Sequence, residues 1–271
     1  MNRELIDFFS DFALKHTGIV LGPEKDYLIK SRLEELSKSL GFRNIEELYR
    51  KAKYQLTNEL LDHLIDALTT NETYFFRDKI QFDALKKYIL PEIIERKKEE
   101  KRLRIWSCAC STGQEPYSIG ILICEHFPHI LNWDLEIIGS DISKRAVEYA
   151  KQGSFSQIEV NRGLPAKLLI KYFRQKGSRW VIDERVRRLI RFLRINLKDD
   201  FSYLGKFDII FCRYVLIYFS SELKRNVLLR IEKNMFPNGY LFFGMAEIPS
   251  GLSPRFIRRD FGGAICYQFV P

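Results

Sequence analysis

The sequence predicts an α/β fold built on a doubly wound, mostly parallel, Rossmann-like sheet, preceded by an all-helical domain. Three observations support this prediction: apolar residues recur only at helical spacing up to about residue 90, short apolar runs alternate with helices from Leu103 onward, and one basic segment at about residues 162–194 interrupts that alternation. Alternating strands and helices are typical of a parallel sheet with crossover helices. The predicted domains are residues 1–90 and 91–271, with an inserted subdomain at about 162–194.

The helices of the first domain carry end signals. Gly41 is expected to end one helix, and Asn44 with Glu47 three residues later predicts a capping box for the next. The stretch 68-LTTNETYFFRD-78 then separates two helical runs, and Asp78 is expected to begin the second. The polar stretch is therefore predicted to be a helix junction.

Four strands of the sheet are predicted from short apolar runs between turn signals. Helices are expected after the first, second and third of them, with caps at Ser143, Gly153 and Ser220. The tail 264-AICYQFV-270 is expected to add an antiparallel edge strand. The four strands are residues 103–106, 135–141, 206–213 and 240–247.

The basic segment is predicted to form a helix and a hairpin that project from the sheet. A helix is expected from about Pro165 to Gln175, and the segments 179-RWVI-182 and 189-LIRFLRI-195 alternate as strands do around a short turn. Between Arg162 and Arg194 there are eleven Lys or Arg residues and two acids, so this segment has a net charge of +9 and the rest of the chain sums to zero. Such a patch indicates an acidic partner, which could be nucleic acid, a membrane face or an acidic protein surface.

Composition excludes several classes of protein. No apolar run reaches the ~18 residues of a membrane span, because the richest run, 207–219, contains Asp208 and Arg213. The five cysteines and four histidines show no zinc spacing, so no metal is expected. Without a recognisable signal peptide, a cytoplasmic location with no membrane insertion is expected, and a glycan on Asn71 is not.

The turn after the first strand suggests which ligand the sheet binds. In a doubly wound sheet the ligand lies at the carboxyl ends of the strands. The turn 107-SCACSTGQEP-116 has small residues but neither Gly-x-Gly-x-x-Gly nor the lysine of a phosphate loop, which disfavours pyrophosphate. Asp141 ends the second strand, where it could accept hydrogen bonds from ribose hydroxyls or only cap a helix. Together these features favour S-adenosylmethionine over NAD.

Five motifs in order resemble the CheR-type chemotaxis receptor methyltransferases. They are 69-TTNETYFFR-77, 106-WSCACSTGQEPYSI-119, 139-GSDIS-143, 194-RINL-197 and 209-IIFCRYVLIYF-219. The resemblance implies methyl transfer from S-adenosylmethionine, leaving S-adenosylhomocysteine, to glutamate side chains of chemoreceptors, with formation of glutamyl methyl esters in chemotaxis adaptation. It also implies an enzyme that works at receptor clusters.

The resemblance assigns a role to individual residues. It implies that the junction closes over the cofactor, that the turn at Ala109 contacts the methionine moiety, and that Tyr218 is the active-site tyrosine. Arg77 and Tyr218 are expected to hold the acceptor, and Phe75 and Phe76 to exclude water. The implied cofactor-binding residues are Asn71, Thr73, Arg77, Ala109, Glu115 (ammonium), Asp141 (ribose), Asn196 and Leu197 (adenine), Tyr214 and Val215.

Each role has a structural alternative. Glu115 could be a first-turn acid of its helix, Asn196 a turn residue, and Tyr218 a half-buried aromatic. Tyr214 departs from the family pattern, which usually has asparagine after Cys-Arg. The loss of that amide could lower the affinity for the cofactor.

The expected partner is a glutamate-rich receptor helix that docks on the basic segment 162–194. The hairpin turn 175-QKGSR-179 is short, which favours direct docking over a peptide tether. Two alternatives stay open. The function of a nucleic-acid methyltransferase would explain the basic patch, but this chain lacks the Asn/Asp-Pro-Pro-Tyr/Phe motif of amino methylation. The function of a non-catalytic adaptor that binds the cofactor or its product would explain Tyr214.

Overall fold

The computed structural model describes residues 3–247 and 249–271. In these residues the strands are β1 (Arg102–Cys108), β2 (Asp134–Asp141), β3 (Ser154–Ser156), β4 (Phe173–Lys176), β5 (Arg179–Ile182), β6 (Ile190–Arg194), β7 (Phe207–Cys212), β8 (Met235–Phe242), β9 (Phe256–Phe261) and β10 (Ala264–Phe269). The α-helices are α1 (Arg3–Thr17), α2 (Asp26–Ser39), α3 (Ile45–Tyr54), α4 (Asn58–Leu68), α5 (Lys79–Ala84), α6 (Leu90–Arg96), α7 (Gln114–His126), α8 (Lys144–Gln152), α9 (Gln157–Asn161), α10 (Ala166–Tyr172), α11 (Glu184–Arg187) and α12 (Ser221–Lys233). Short 3-10 turns occupy Pro23–Lys25, Pro128–Asn132, Ser202–Leu204 and Leu216–Tyr218, and a π-helical turn, Leu85–Ile89, joins α5 to α6.

A seven-stranded sheet in the order β6-β2-β1-β7-β8-β10-β9 forms the centre of the second domain. Its first five strands are parallel, so the predicted fold class is confirmed. The chain runs from β1 outward to β2 and β6 and then returns to β7 on the other side of β1. The strand order therefore reverses between β1 and β7, where a doubly wound sheet binds its ligand.

The carboxyl-terminal strands differ from the prediction in one respect. The tail does pair in antiparallel fashion, through β10 and β8. It is not the edge strand, because β9 pairs with its outer side from Phe256 to Phe261. The sequence 256-FIRRDF-261 gives little apolar alternation, and its four middle residues are exposed, as expected of an edge strand.

The predicted pairing of residues 179–182 with residues 189–195 was wrong, whereas the predicted hairpin turn at residues 175–179 is confirmed, since Lys176 pairs with Arg179. Strand β5 pairs with β4 through a hairpin turn at Gly177, and it also pairs with β3. These three strands form a separate sheet. Strand β6 instead joins the large sheet in parallel to β2, with Ile137 beside Ile190. In that position Ile190 and Phe192 are buried, whereas a two-stranded ribbon would leave one apolar face in water.

The helical domain has its own apolar core, which contains Phe9, Leu33, Leu48 and Leu64. Asn44 caps α3 as predicted and accepts a hydrogen bond from the Glu47 N–H at 3.0 Å. The reciprocal half of the capping box is absent from this helix, because Glu47 accepts from the Arg43 N–H instead. The predicted caps at Ser143, Gly153 and Ser220 are confirmed.

The two domains meet at the junction of residues 68–78. Leu68 is the last residue in the core of the helical domain, and Phe75 already belongs to the cluster that covers the sheet. Helix α5, the π-helical turn and helix α6 pack on the same cluster through Phe82, Leu85 and Ile93, respectively. Within the junction, buried apolar residues thus pass from the core of the helical domain to the cluster on the sheet. The domain boundary near residue 90 stays a prediction. No helix in the described ranges is long and apolar enough to cross a bilayer.

Candidate functional site

A cavity lies at the carboxyl ends of β1, β2 and β7, beside the point where the strand order reverses. It encloses about 890 Å³, its open mouth included. The junction and the residues that follow α1 form its outer wall. The structure brings all eleven predicted site residues to this cavity, namely Asn71, Thr73, Arg77, Ala109, Glu115, Asp141, Asn196, Leu197, Tyr214, Val215 and Tyr218.

The turn after β1 is held in an unusual backbone conformation. Ala109 and Ser111 both have a left-handed φ of 52°, which non-glycine residues rarely adopt. Among the hydrogen bonds that hold the turn, the Cys110 N–H donates to the Ser140 carbonyl and the Ser111 hydroxyl to the Asn71 carbonyl, each at 2.8 Å. Strain of this kind persists only where the surroundings impose it, and it collects at functional sites.

Asp141 is buried at the end of β2 and points into this turn. Its two carboxylate oxygens accept hydrogen bonds from the backbone N–H groups of Ser111 (2.8 Å) and Ser143 (2.9 Å). Burial raises the pKa of Asp141, and the backbone donors oppose that rise. Each oxygen can accept more than one hydrogen bond, so the carboxylate can still bind a ligand's hydroxyl groups.

The two phenylalanines of the junction anchor it to the second domain. Phe75 is fully buried and packs edge-on against Phe155 and Phe173, with ring centroids 5.1 and 5.6 Å apart. Phe76 packs against Phe82 at 5.2 Å. Neither Phe75 nor Phe76 lines the cavity, so the expectation that they shield it from water was wrong. They fix the path of the junction instead.

A buried arginine connects the junction to β7 and α7. The guanidinium of Arg213 pairs with Glu115 at 2.7 Å and with Asp78 at 2.6 Å, and its side chain is 1% exposed. Burial alone would lower the pKa of Arg213, but the two carboxylates outweigh burial and raise it. Asp78 was expected to begin α5, but its side chain does not cap that helix. Its φ is 59°, and its carboxylate accepts a hydrogen bond from Arg213 instead. Ser107 donates to the other oxygen of Glu115 at 2.7 Å.

The far end of the cavity is held by the residues that follow α1. The Asn196 amide donates to the His16 carbonyl at 2.9 Å, and its oxygen accepts from the Lys198 N–H at 3.1 Å. Val20 donates its N–H to the Tyr218 carbonyl at 2.8 Å, which places the tyrosine beside the residues that follow α1. Apolar side chains line this end, namely Ile19, Ile142, Ile195, Leu197, Val215 and Phe219.

These features fit S-adenosylmethionine. The apolar end suits an adenine ring, Asp141 can accept from ribose hydroxyls, and the left-handed turn lets backbone approach the ligand. The turn after β1 has neither a Gly-x-Gly-x-x-Gly pattern nor the lysine of a phosphate loop, which disfavours a cofactor with a pyrophosphate group.

Comparison with known proteins decides the family. Residues 71–259 match the family model of the CheR methyltransferase SAM-binding domain, and residues 4–69 match that of the CheR methyltransferase all-alpha domain. The chain belongs to the CheR methyltransferase family. This CheR-type chain is thus an S-adenosylmethionine-dependent enzyme that methylates protein.

Similar proteins cover nearly the whole of this CheR-type chain. It is 40% identical to the chemotaxis protein methyltransferase Cher2 of Pseudomonas putida, over 99% of both chains. It is 41% identical to chemotaxis protein methyltransferase 1 of Pseudomonas aeruginosa, over 97% of this chain and 96% of that one. With the chemotaxis protein methyltransferase of Vibrio parahaemolyticus it shares 39% identity, over 92% and 90%.

Four residues of the CheR-type site were missed by sequence reasoning. Asp78 was predicted only as a helix start, and Ser111, Arg213 and Glu247 were given no role. Arg213 carried a usable signal, because an arginine at the end of an apolar strand requires buried carboxylates nearby. Glu247 gave no such signal, since only the fold brings its carboxylate to the backbone N–H of Tyr214, at 2.7 Å.

Proposed function

We propose that this methyltransferase converts glutamate side chains of chemoreceptors into methyl esters. Two relatives that match nearly the whole length of the chain are named chemotaxis protein methyltransferases, and this supports the proposal. The observation that carries it is the composition of the cavity lining, in which Asp141 and the turn at Ala109 occur together with Arg77 and Tyr218.

In this proposal the cofactor is held by Asp141 at its ribose, by Asn196, Leu197 and Val215 around its adenine, and by the turn at Ala109. Glu115 faces its ammonium group. Arg213 and Ser107 fix both oxygens of Glu115, so the carboxylate needs no reorientation to receive a cation. Asn71 and Thr73 close the cavity from the junction.

Arg77 and Tyr218 position the acceptor. S-adenosylmethionine supplies a methyl group on a positively charged sulfur. A glutamate side chain in water has a pKa of about 4.3 and is ionised at neutral pH, so no residue of this chain needs to remove a proton. Arg77 and the Tyr218 hydroxyl instead orient the carboxylate, and such positioning can contribute about 7–11 kcal/mol to the lowering of the barrier. A poorly hydrated site favours a transition state in which opposite charges cancel.

The proposed reaction is tested by methyl transfer to membranes that contain receptor. Radiolabelled methyl groups should appear on the receptor and be released as methanol in mild base, as expected of an ester. Label that resists base, or that appears on added RNA instead, would exclude the proposal.

Asp141→Asn is expected to weaken the binding of S-adenosylhomocysteine by on the order of 10-fold or more, because a hydrogen bond to a charged acceptor contributes about 1.5–3 kcal/mol. The amide also places an N–H group against one of the two backbone donors. Calorimetry measures the dissociation constant. Asp134→Asn is the matched control, since Asp134 lies exposed at the opposite end of the same strand. If both variants bind S-adenosylhomocysteine with the same affinity, Asp141 does not contact the cofactor.

The basic segment is the proposed docking surface for the receptor, although its charge is partly neutralised. Six of its eleven basic residues form ion pairs within the described part of the chain, several with acids outside the segment, such as Arg191 with Glu136. Arg179 is half-buried and bonded to Ser154. The exposed basic residues without an ion pair among the described residues are Lys167, Arg174, Lys176 and Arg188. We infer that these four carry the attraction for an acidic receptor helix at receptor clusters.

Reversing two of these charges, Arg174→Glu with Lys176→Glu, is expected to lower kcat/KM for the receptor about 10-fold at low salt. The two residues are two apart on β4 and so face the same side. The difference from wild type should largely disappear at about 0.5 M salt, because screening shortens the range of charge interactions well below ~10 Å. Arg225→Glu with Lys233→Glu on α12 is the matched control. A loss that does not depend on salt would argue against electrostatic docking.

A further inference from the structure

Tyr214 is held in place by its backbone as well as its side chain. Its φ is 58°, in the left-handed region. Glu247 accepts hydrogen bonds from the N–H groups of Tyr214 (2.7 Å) and Gly244 (2.6 Å). A Cβ atom at Gly244 would lie 2.7 Å from the Tyr214 ring, so glycine leaves the room that the ring needs. The ring is therefore confined to one place in the cavity wall.

The guanidinium of Arg77 stacks on the ring of Tyr214. The guanidinium carbon lies 3.6 Å from the ring centroid, which is stacking distance. The Tyr214 hydroxyl donates to Asp78 at 2.6 Å, the oxygen that also pairs with Arg213. The buried ion-pair network thus fixes the ring, and the ring fixes the arginine.

Arg77 has few other partners. Its guanidinium donates one hydrogen bond to the Glu72 carbonyl at 3.0 Å and lies 5.5 Å from the Tyr74 ring. No carboxylate among the described residues forms an ion pair with it. A carboxylate partner would compete with an incoming carboxylate, whereas an aromatic face orients the guanidinium plane and leaves N–H groups at its edge free to donate.

We propose that Tyr214 is the positioning residue for Arg77, acting as an aromatic platform that presents the guanidinium edge to the carboxylate of the methyl acceptor. This inference rests on the role of Arg77 in the proposed function. It gives the tyrosine that replaces the asparagine of the family pattern a role on the acceptor side of the cavity, separate from contact with the cofactor.

A double-mutant cycle tests the inference through the acceptor's kcat/KM, measured with saturating cofactor. Tyr214→Leu is expected to lower kcat/KM about 10-fold, since it removes the platform, while Tyr214→Phe keeps the ring and should lose about threefold. In the Arg77→Ala background Tyr214→Leu should cause no further loss. Losses that multiply in the double variant would overturn the proposal, as would a matching loss of affinity for S-adenosylhomocysteine.

Gly244→Ala provides a second way to move the ring, should Tyr214→Leu fail to fold. The added methyl group is expected to displace the ring and to give the same dependence on Arg77. If Arg77→Ala alone leaves kcat/KM unchanged, the proposed function is wrong about Arg77 and the inference fails with it. If Arg77→Ala lowers kcat/KM while Tyr214→Leu and Gly244→Ala do not, only the inference fails.

Discussion

Arg77→Ala is expected to lower kcat/KM for receptor methylation by on the order of 100-fold. The variant loses charge-assisted hydrogen bonds to the acceptor carboxylate, each of which contributes about 1.5–3 kcal/mol. Part of that interaction forms only as the carboxylate reaches the geometry of the transition state, so kcat should fall as well as KM rise. Initial rates of radiolabel transfer, with cofactor saturating for each variant, measure both constants. Tyr218→Phe should show a smaller loss, of about 10-fold.

The control for this prediction is Lys79→Ala. Lys79 is exposed, lies two residues from Arg77 and does not line the cavity, so its replacement removes a positive charge without touching the acceptor site. If Arg77→Ala and Tyr218→Phe both methylate receptor at the wild-type rate while still binding cofactor, neither residue holds the acceptor.

Arg213→Met is expected to lower the free energy of unfolding by about 3–5 kcal/mol at neutral pH. The substitution leaves Glu115 and Asp78 in the protein interior without their cation, and removal of one member of a buried ion pair typically costs that much. Urea unfolding measures the change. The exposed pair of Arg258 and Asp260 offers a control, since Arg258→Met should leave the midpoint unchanged. A loss below about 1 kcal/mol would mean that water or movement of the junction compensates the carboxylates.

The loss in Arg213→Met should shrink as the pH falls. In the wild-type protein, burial raises the pKa of Asp78, but Tyr214 and Arg213 outweigh burial and hold it below its ordinary value of 3.8. The stability that Asp78 contributes is therefore present above that value and is lost as the pH falls through its folded-state pKa. Without Arg213 fewer partners oppose the effect of burial on Asp78, so the pKa of Asp78 rises and the variant regains stability relative to wild type in mild acid. A deficit that stays constant between about pH 8 and pH 5 would contradict this mechanism.

Much of this protein follows from local sequence. Alternating strands and helices predict the fold class, and Asn44, Ser143 and Ser220 cap helices as expected because capping depends on a residue and its neighbour three positions on. The candidate site could also be located, since the carboxyl ends of parallel strands meet at one edge of a sheet and the turn at 107–116 and Asp141 both follow strands. The roles of the residues there stay predictions.

Other features depend on contacts that only the folded chain creates. The alternation of residues 189–195 suits a hairpin or a parallel strand equally, and burial of Phe192 against the large sheet decides for the latter. The partners of Arg213 lie 98 and 135 residues away, so no local pattern could pair them. The surroundings of Tyr214 could not be predicted from local sequence either. In the sequence it is only a tyrosine in the place of the asparagine of the family pattern. The tertiary structure makes it the support of Arg77, because folding brings Asp78, Glu247 and Gly244 around one ring.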